Sequence, residues 1–340
     1  MNYPRRHFLK TAAAAGAVSW LAPAALATSE QHIITVDGPI KPDALGRTFA
    51  HEHVLVDFGG ANVVSPDRYD ADEAFEKILP YLKEIKKLGA QTFVECTPNY
   101  LGRDVRLLKR LSKASGLHIL TNTGLYGAVD GKFLPNYVAT ETAEQLARRW
   151  IDEYRNGIDG TGILPGFIKI GVNNGPLNEA DRKLVEAAAQ THAKTGLTIA
   201  AHTGDAAAAL EELEIVQAAG VHPSAFIWVH AQGKGTENHL EAARAGAWVE
   251  IDGIGEQNYI DHAQQVKALR DADLLNRVLV SCDAGWYRVG EPQGGTYRSH
   301  AVLLERFVPE LRKQGFSDEE VNQLLVTNPA DAFTVRIRLG

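Results

Sequence analysis

The stretch TFAHEHVLVD, residues 48–57, sets His51 and His53 on either side of Glu52, inside a run that otherwise reads as a β-strand. Residues two apart in an extended strand face the same way, so both imidazoles leave on one face. They are metal ligands or polar residues tolerated by a core. The choice depends on what the rest of the chain brings to that face.

Outward from this strand, apolar runs rich in β-branched side chains alternate with longer stretches of helical period. The strand candidates are TFAHEHVLV, QTFVECT, HILTNTG, GFIKIGV, LTIAAHTG, AFIWVHA, AWVEIDG and RVLVSCDAG. Helix candidates between them cover 71–88, 103–115, 140–156, 178–195, 206–219, 236–245 and 259–274. The first ends on Gly89, a C-cap residue, and carries Pro80, which is expected to kink or split it. Eight strand–helix units without a break in composition predict one α/β domain, a (β/α)8 TIM barrel over residues 28–340. An open, doubly wound sheet is the alternative. A short N-terminal β hairpin within HIITVDGPIKPDALG leads into the first barrel strand.

The chain has 340 residues, 45% hydrophobic and 23% charged, an ordinary balance for a soluble globular protein. Residues 1–27 stand apart. Arg5-Arg6 precede the small, apolar run TAAAAGAVSWLAPAALA, which ends in the Ala-x-Ala pattern of a cleavage site. This resembles a twin-arginine signal peptide, so the expected partner is that export machinery and the expected location is the periplasm or the medium. That route carries folded proteins, which allows metal to be loaded before export. Three basic and no acidic residues would leave with the signal, moving the net charge from −7 to −10 and speaking against nucleic acid as a partner. The two cysteines, Cys96 and Cys282, fall in strands that are not neighbours and are expected as reduced, buried thiols.

Other polar residues collect at the ends of the predicted strands. Lys169 interrupts the apolar fourth strand, His202 ends the fifth, His230 the sixth, and Asp283 the eighth. Barrel enzymes build their active sites at that end of the strands. Imidazole and carboxylate suit Zn²⁺ and similar ions. A lysine amine in an apolar strand is costly as a charge and calls for neutralisation or chemical alteration. For His118, His192, His222, His239, His262 and His300 the expectation is hydrogen bonding within the core or on the surface, without ligation.

The ordered set HxH, Lys, His, His, Asp, with GRTFAHEHVLVD, LGRDVRLLKRLSKASGLHILTNTGLYG, GFIKIGV, AAHTG and SCDAGWYR, resembles the phosphotriesterase-like family of the amidohydrolase superfamily. The resemblance runs from about residue 32 to the closing VTNPADAF. It implies two divalent metal ions, zinc first among them. His51, His53 and Asp283 would hold the more buried ion, His202 and His230 the more exposed one. Lys169, carboxylated, would bridge the two together with a hydroxide. Two cations sharing a water lower its pKa, and Asp283 is the candidate to carry the proton away.

The fold and the metals leave the substrate open. Tyr126 matches an aromatic position that lines the pocket in the family, and Trp286, Tyr287 and Arg288 sit in GWYRVGEPQGGTYRSH, read as a long loop able to act as a lid. Arg288 would pair an acidic group of a substrate. Glu95 is expected to support the metal site by a hydrogen bond; Glu250 and Asp252 are substrate contacts or structural groups. VHAQGKGTENH and IDGIGEQNY lack the acidic loop and the arginine of the best-known lactonases, which speaks against homoserine lactones. The leading expectation is a binuclear metal hydrolase of a small-molecule ester, a lactone or carboxylic ester ahead of a phosphotriester. A metal-dependent nuclease-like or other superfamily hydrolase, or a non-catalytic metal-binding homologue, stays open. So does a homodimer.

Overall fold

The computed structural model describes residues 31–340. The expected signal peptide lies outside these residues. The hairpin comes first: β1 (Ile33–Thr35) pairs antiparallel with β2 (Gly38–Ile40). Its turn is tied to the barrel by the Val36 amide, which donates to the Ile119 carbonyl at 2.9 Å.

Eight parallel strands then alternate with helices. β3 (Thr48–Val56), α1 (Ala71–Lys87), β4 (Thr92–Glu95) and α2 (Val105–Ser115) open the series. The third barrel strand is interrupted at Thr121 and forms β5 (His118–Leu120) and β6 (Asn122–Thr123). There follow α3 (Ala143–Asn156), β7 (Phe167–Gly171), α4 (Glu179–Thr195), β8 (Ile199–His202), α5 (Ala206–Ala218), β9 (Phe226–Val229), α6 (Thr236–Ala245), β10 (Trp248–Ile251) and α7 (Tyr259–Asp271). The eighth strand is again in two pieces, β11 (Val278–Val280) and β12 (Gly285–Arg288). β12 pairs with β3, and between the pieces the Asp283 amide donates to the His51 carbonyl while the His53 amide donates to Ala284. These bonds close the barrel on its first strand.

The helices form where their caps say they should. Asp70, Asp104, Thr142, Asn178 and Asp205 each accept backbone amides of the first turn. α1 runs through Pro80 without being split there, and Gly89 follows it at φ +97°. The C-terminal residues, beyond the helices read from sequence, add α8 (Val308–Lys313), α9 (Asp318–Asn322) and α10 (Asn328–Phe333), with π-helical turns at Leu303–Phe307 and Gln323–Thr327.

Two apolar layers result. One lies between strands and helices. The other fills the barrel itself, where Val94, Leu120, Phe167, Ile227 and Leu279 meet Ile33 of the hairpin and Phe333 of α10 at the N-terminal end. With that end plugged, the open end is the one where the strands finish. No helix among the described residues is long and apolar enough to cross a membrane.

Candidate metal centre

A one-residue bulge sets the first pair of imidazoles. β3 and β4 pair Phe49 with Phe93 but Glu52 with Glu95, so β3 carries one residue more than its partner. Such a bulge kinks the strand and re-aims its side chains. Ala50 joins the barrel interior, Glu52 turns away from the cavity, and His51 and His53 share the inward face with their ring centroids 5.4 Å apart.

Glu52, fully buried, is a clamp. Its carboxylate accepts from Ser281 Oγ, the Cys282 amide, the Ala284 amide and His300 Nδ1, at 2.7, 2.8, 2.9 and 2.7 Å. Hydrogen bonds to a charged group contribute about 1.5–3 kcal/mol each. They hold residues 281–284, and Asp283 with them, against the strand that carries the two histidines.

Lys169 is buried in the middle of β7, His202 ends β8, His230 follows β9, and Asp283 stands between β11 and β12. All six residues line one cavity of about 330 Å³. His230 and Asp283 hold φ of +60° and +46°, a region that side chains other than glycine rarely adopt and that clusters at functional sites. The backbone of Gly124, at φ +122°, passes so close to Lys169 that an added Cβ would lie 2.1 Å from the Lys169 carbonyl oxygen.

Three of the four imidazoles are oriented from behind. Glu250 Oε2 lies 3.0 Å from His51 Nδ1, Thr97 Oγ1 2.7 Å from His53 Nδ1, and Asp252 Oδ1 2.6 Å from His230 Nδ1. With Nδ1 so engaged, Nε2 is the atom presented to the cavity. His202 places Nε2 3.0 Å from the Tyr126 hydroxyl. Burial and the surrounding Lys169 and histidines push the His51 pKa well below its usual value; burial, His230 and Lys169 do the same to His202. These rings are kept neutral, as ligands must be. Burial raises the Asp252 carboxyl, but His230 and Gln232 outweigh it and hold it below the ordinary carboxylate range, whereas Glu250 is pushed well above by burial and by Asp252.

Among the buried polar atoms here, His51 Nε2, Lys169 Nζ and Trp286 Nε1 have no hydrogen-bond partner, while Asp283 Oδ1 lies 3.1 Å from His53 Nε2. Unpaired buried groups of this kind are costly. His51, His53 and Asp283 bring ligand atoms within 4.8 Å of one another, as do His230, Asp252 and Asp283. Neutral imidazoles, carboxylates and an unpaired amine fit a cationic occupant better than any internal bonding arrangement.

The other expected residues divide. Tyr126 and Trp286 line the cavity; Tyr287 and Arg288 do not. The expected lid loop begins as β12, held in register with β3 by Gly285 opposite His53 and Tyr287 opposite Leu55. Alternation along that strand buries Tyr287 on the far side, where its hydroxyl donates to Glu73 at 2.5 Å; Arg288 lies 5.9 Å from the centre of the Trp286 ring and 3.6 Å from Glu291, outside the cavity lining. Glu95 accepts the amides of Val54 and Thr97, and burial raises it to about 7. Cys96 and Cys282 are free, buried thiols. The clamp through Glu52, and His300 as part of it, were not read from sequence; a glutamate between two histidines of a strand was the available signal.

The chain is similar to known proteins over nearly all of the described residues. The phosphotriesterase family profile matches residues 31–333. A phosphotriesterase homology protein of Escherichia coli K12 is 33% identical over 296 residues, covering 86% of this chain and 99% of the relative. An N-acetyltaurine hydrolase of Danio rerio is 27% identical over 339 residues, covering 87% and 95%. A singly substituted organophosphorus hydrolase from Deinococcus radiodurans superposes with a TM-score of 0.81 at 27% identity, covering 90% of this chain and 98% of that one.

Proposed function

The chain belongs to the phosphotriesterase family, and from that premise we propose that it is a hydrolase that uses two divalent metal ions, zinc foremost, to cleave an ester bond, a lactone or carboxylic ester ahead of a phosphotriester. The observation that carries the reading is the convergence of His51 Nε2 and Lys169 Nζ, buried and unpartnered, on one cavity with the Asp283 carboxylate, whose Oδ1 lies 3.1 Å from His53 Nε2.

His51, His53 and Asp283 would hold one ion and His202 and His230 the other. Lys169 would bridge them after its amine adds carbon dioxide and loses a proton, giving a carbamate with two donor oxygens. Bound metal supplies Lewis acidity, lowering the pKa of water and polarising the ester oxygen. The protein's own part is positional. Glu250, Thr97 and Asp252 fix the rings, the Glu52 clamp fixes Asp283, and the apolar walls keep bulk water from the reacting bond. In the overall reaction water gives its oxygen to the acyl or phosphoryl centre, the bond to the leaving oxygen breaks, and that oxygen takes a proton. Asp283 is the group placed to carry it.

The walls, Val56, Phe58, Pro98, Leu101, Phe133 and Trp286, suit an apolar organic group rather than a polyanionic nucleic acid strand, which supports the ester reading over a nuclease. Export by the twin-arginine route belongs to the same proposal.

The test is hydrolysis of a panel of lactones, aryl esters, dialkyl aryl phosphates and N-acyl amino-sulfonates by protein purified with zinc, stripped with a chelator and reloaded. The expected result is ester or lactone turnover that vanishes on stripping and returns with zinc. Turnover that survives complete stripping would contradict the proposal.

A further inference from the structure

A line of rings crosses the mouth of the cavity from one ligand histidine to another. His53 meets Trp286 at a centroid distance of 5.4 Å, Trp286 meets Phe58 at 5.7 Å, and Phe58 meets Phe133 at 6.4 Å. Phe133 then meets Tyr126 at 5.8 Å, and Tyr126 meets His202 at 4.8 Å. Phe58, although part of the arc, is 42% exposed, and Val129, which also lines the cavity, 58%. Large apolar side chains left uncovered at a cavity rim mark a surface that receives an apolar group.

Three cations lie on this arc, and one of them, Arg288, 5.9 Å from the centre of the Trp286 ring, is paired with Glu291. Lys132, which itself lines the cavity, sets Nζ 5.5 Å from the centre of the Phe133 ring. Arg298 sets its guanidinium 5.3 Å from the centre of the Trp286 ring and donates to the Asp283 carbonyl. Both side chains are exposed, and neither has a carboxylate partner among the described residues. The chain as a whole carries a net charge of −7, and Asp283 is the only carboxylate among the residues lining the cavity. Unpaired positive charge at the rim of an apolar cleft, in an acidic protein, is a local field that draws anions. A stacked cation keeps its outward hydrogen-bonding capacity for such a group.

We propose that the substrate is an amphiphilic ester whose acyl chain lies along the aromatic arc and ends in a carboxylate held by Lys132. This rests on the hydrolase reading above and adds to it the charge of the substrate. Lys132 is the specificity-determining residue in this scheme and lies at the far end of the acyl group from the bond that is cut, whereas Arg298 is hydrogen-bonded to the Asp283 carbonyl, beside the reacting centre.

The test compares para-nitrophenyl hexanoate with the para-nitrophenyl monoester of adipic acid on the zinc-loaded full chain. The two differ in the terminal group, methyl against carboxylate. The expected result is a higher kcat/KM for the charged ester in the wild type. In Lys132→Met that preference falls about tenfold, mainly through KM, and in Lys132→Glu it inverts. Raising the salt concentration erodes the preference of the wild type and the inverted preference of Lys132→Glu, and leaves Lys132→Met unaffected. Equal kcat/KM for the two esters, or a preference untouched in Lys132→Glu, would overturn the proposal. Should neither ester be hydrolysed, the hydrolase reading fails for carboxylic esters, and binding of adipate monoamide against hexanamide by calorimetry still decides the point. Weaker adipate monoamide binding in Lys132→Met supports the anion site, and identical binding removes it.

Discussion

Asp252 touches His230 twice, accepting Nδ1 at 2.6 Å through one oxygen and the backbone amide at 2.9 Å through the other. The same residue therefore fixes the ring's tautomer and the left-handed backbone that aims it. Sequence reading had offered Asp252 and Glu250 as substrate contacts or structural groups; the structure puts both behind the imidazoles, out of the cavity. Removing such an orienting partner costs metal affinity about 10–100-fold. Asp252→Ala is accordingly expected to bind zinc about 10–100-fold more weakly in competition with a chromogenic chelator, while retaining its fold by circular dichroism. Unchanged affinity would deny Asp252 this role. Glu52 shows why other residues stayed hidden. Its partners Ser281 and His300 are 229 and 248 positions away, and nothing local in HEH says where a carboxylate that leaves the ligand face will find its donors.

At the level of elements, period two in TFAHEHVLV was enough to put His51 and His53 on one face, but not to reveal the bulge that also turns Ala50 inward. A bulge is a mismatch between two strands, and so it is not written in either alone. The eighth strand was legible only as far as Asp283. Beyond it the glycine-rich GWYRVGEPQGG suggested a loop, whereas pairing with β3 makes its start a strand and turns Tyr287 away from the cavity. Glycine at 124 has a different meaning, since it lets β6 and β7 approach at Lys169. Gly124→Ala would incur about 1–3 kcal/mol for the backbone conformation alone, and its Cβ would in addition collide with the Lys169 carbonyl. Gly160, at φ +67° with nothing within 4 Å of a Cβ, provides the comparison. The expected outcome is a lower Tm for both alanine variants but reduced zinc content only in Gly124→Ala. Full zinc content in Gly124→Ala would mean that the close approach is not needed to place Lys169.

Over the whole molecule, the alternation of strand and helix was strong enough to carry the barrel, because each β-branched run is buried on both sides and each helix shows one apolar face. The C-terminal helices were missed where π-helical turns at Leu303–Phe307 and Gln323–Thr327 spoil the regular period. The gathering of these six side chains in one cavity was legible because a barrel brings all strand ends to one rim, so residues scattered from 51 to 283 need only the right place in their own strands. The substrate was not legible. Its walls come from three separate segments, around Phe58, Phe133 and Trp286, which only closure of the barrel brings together. What everything else depends on is that Lys169 joins the histidines and Asp283 in holding two ions. Metal stoichiometry by plasma mass spectrometry, on wild type and Lys169→Ala purified alike in zinc, tests this directly. The expected result is two ions per chain in the wild type and no more than one in the variant; two in both, or none in the wild type, would contradict it.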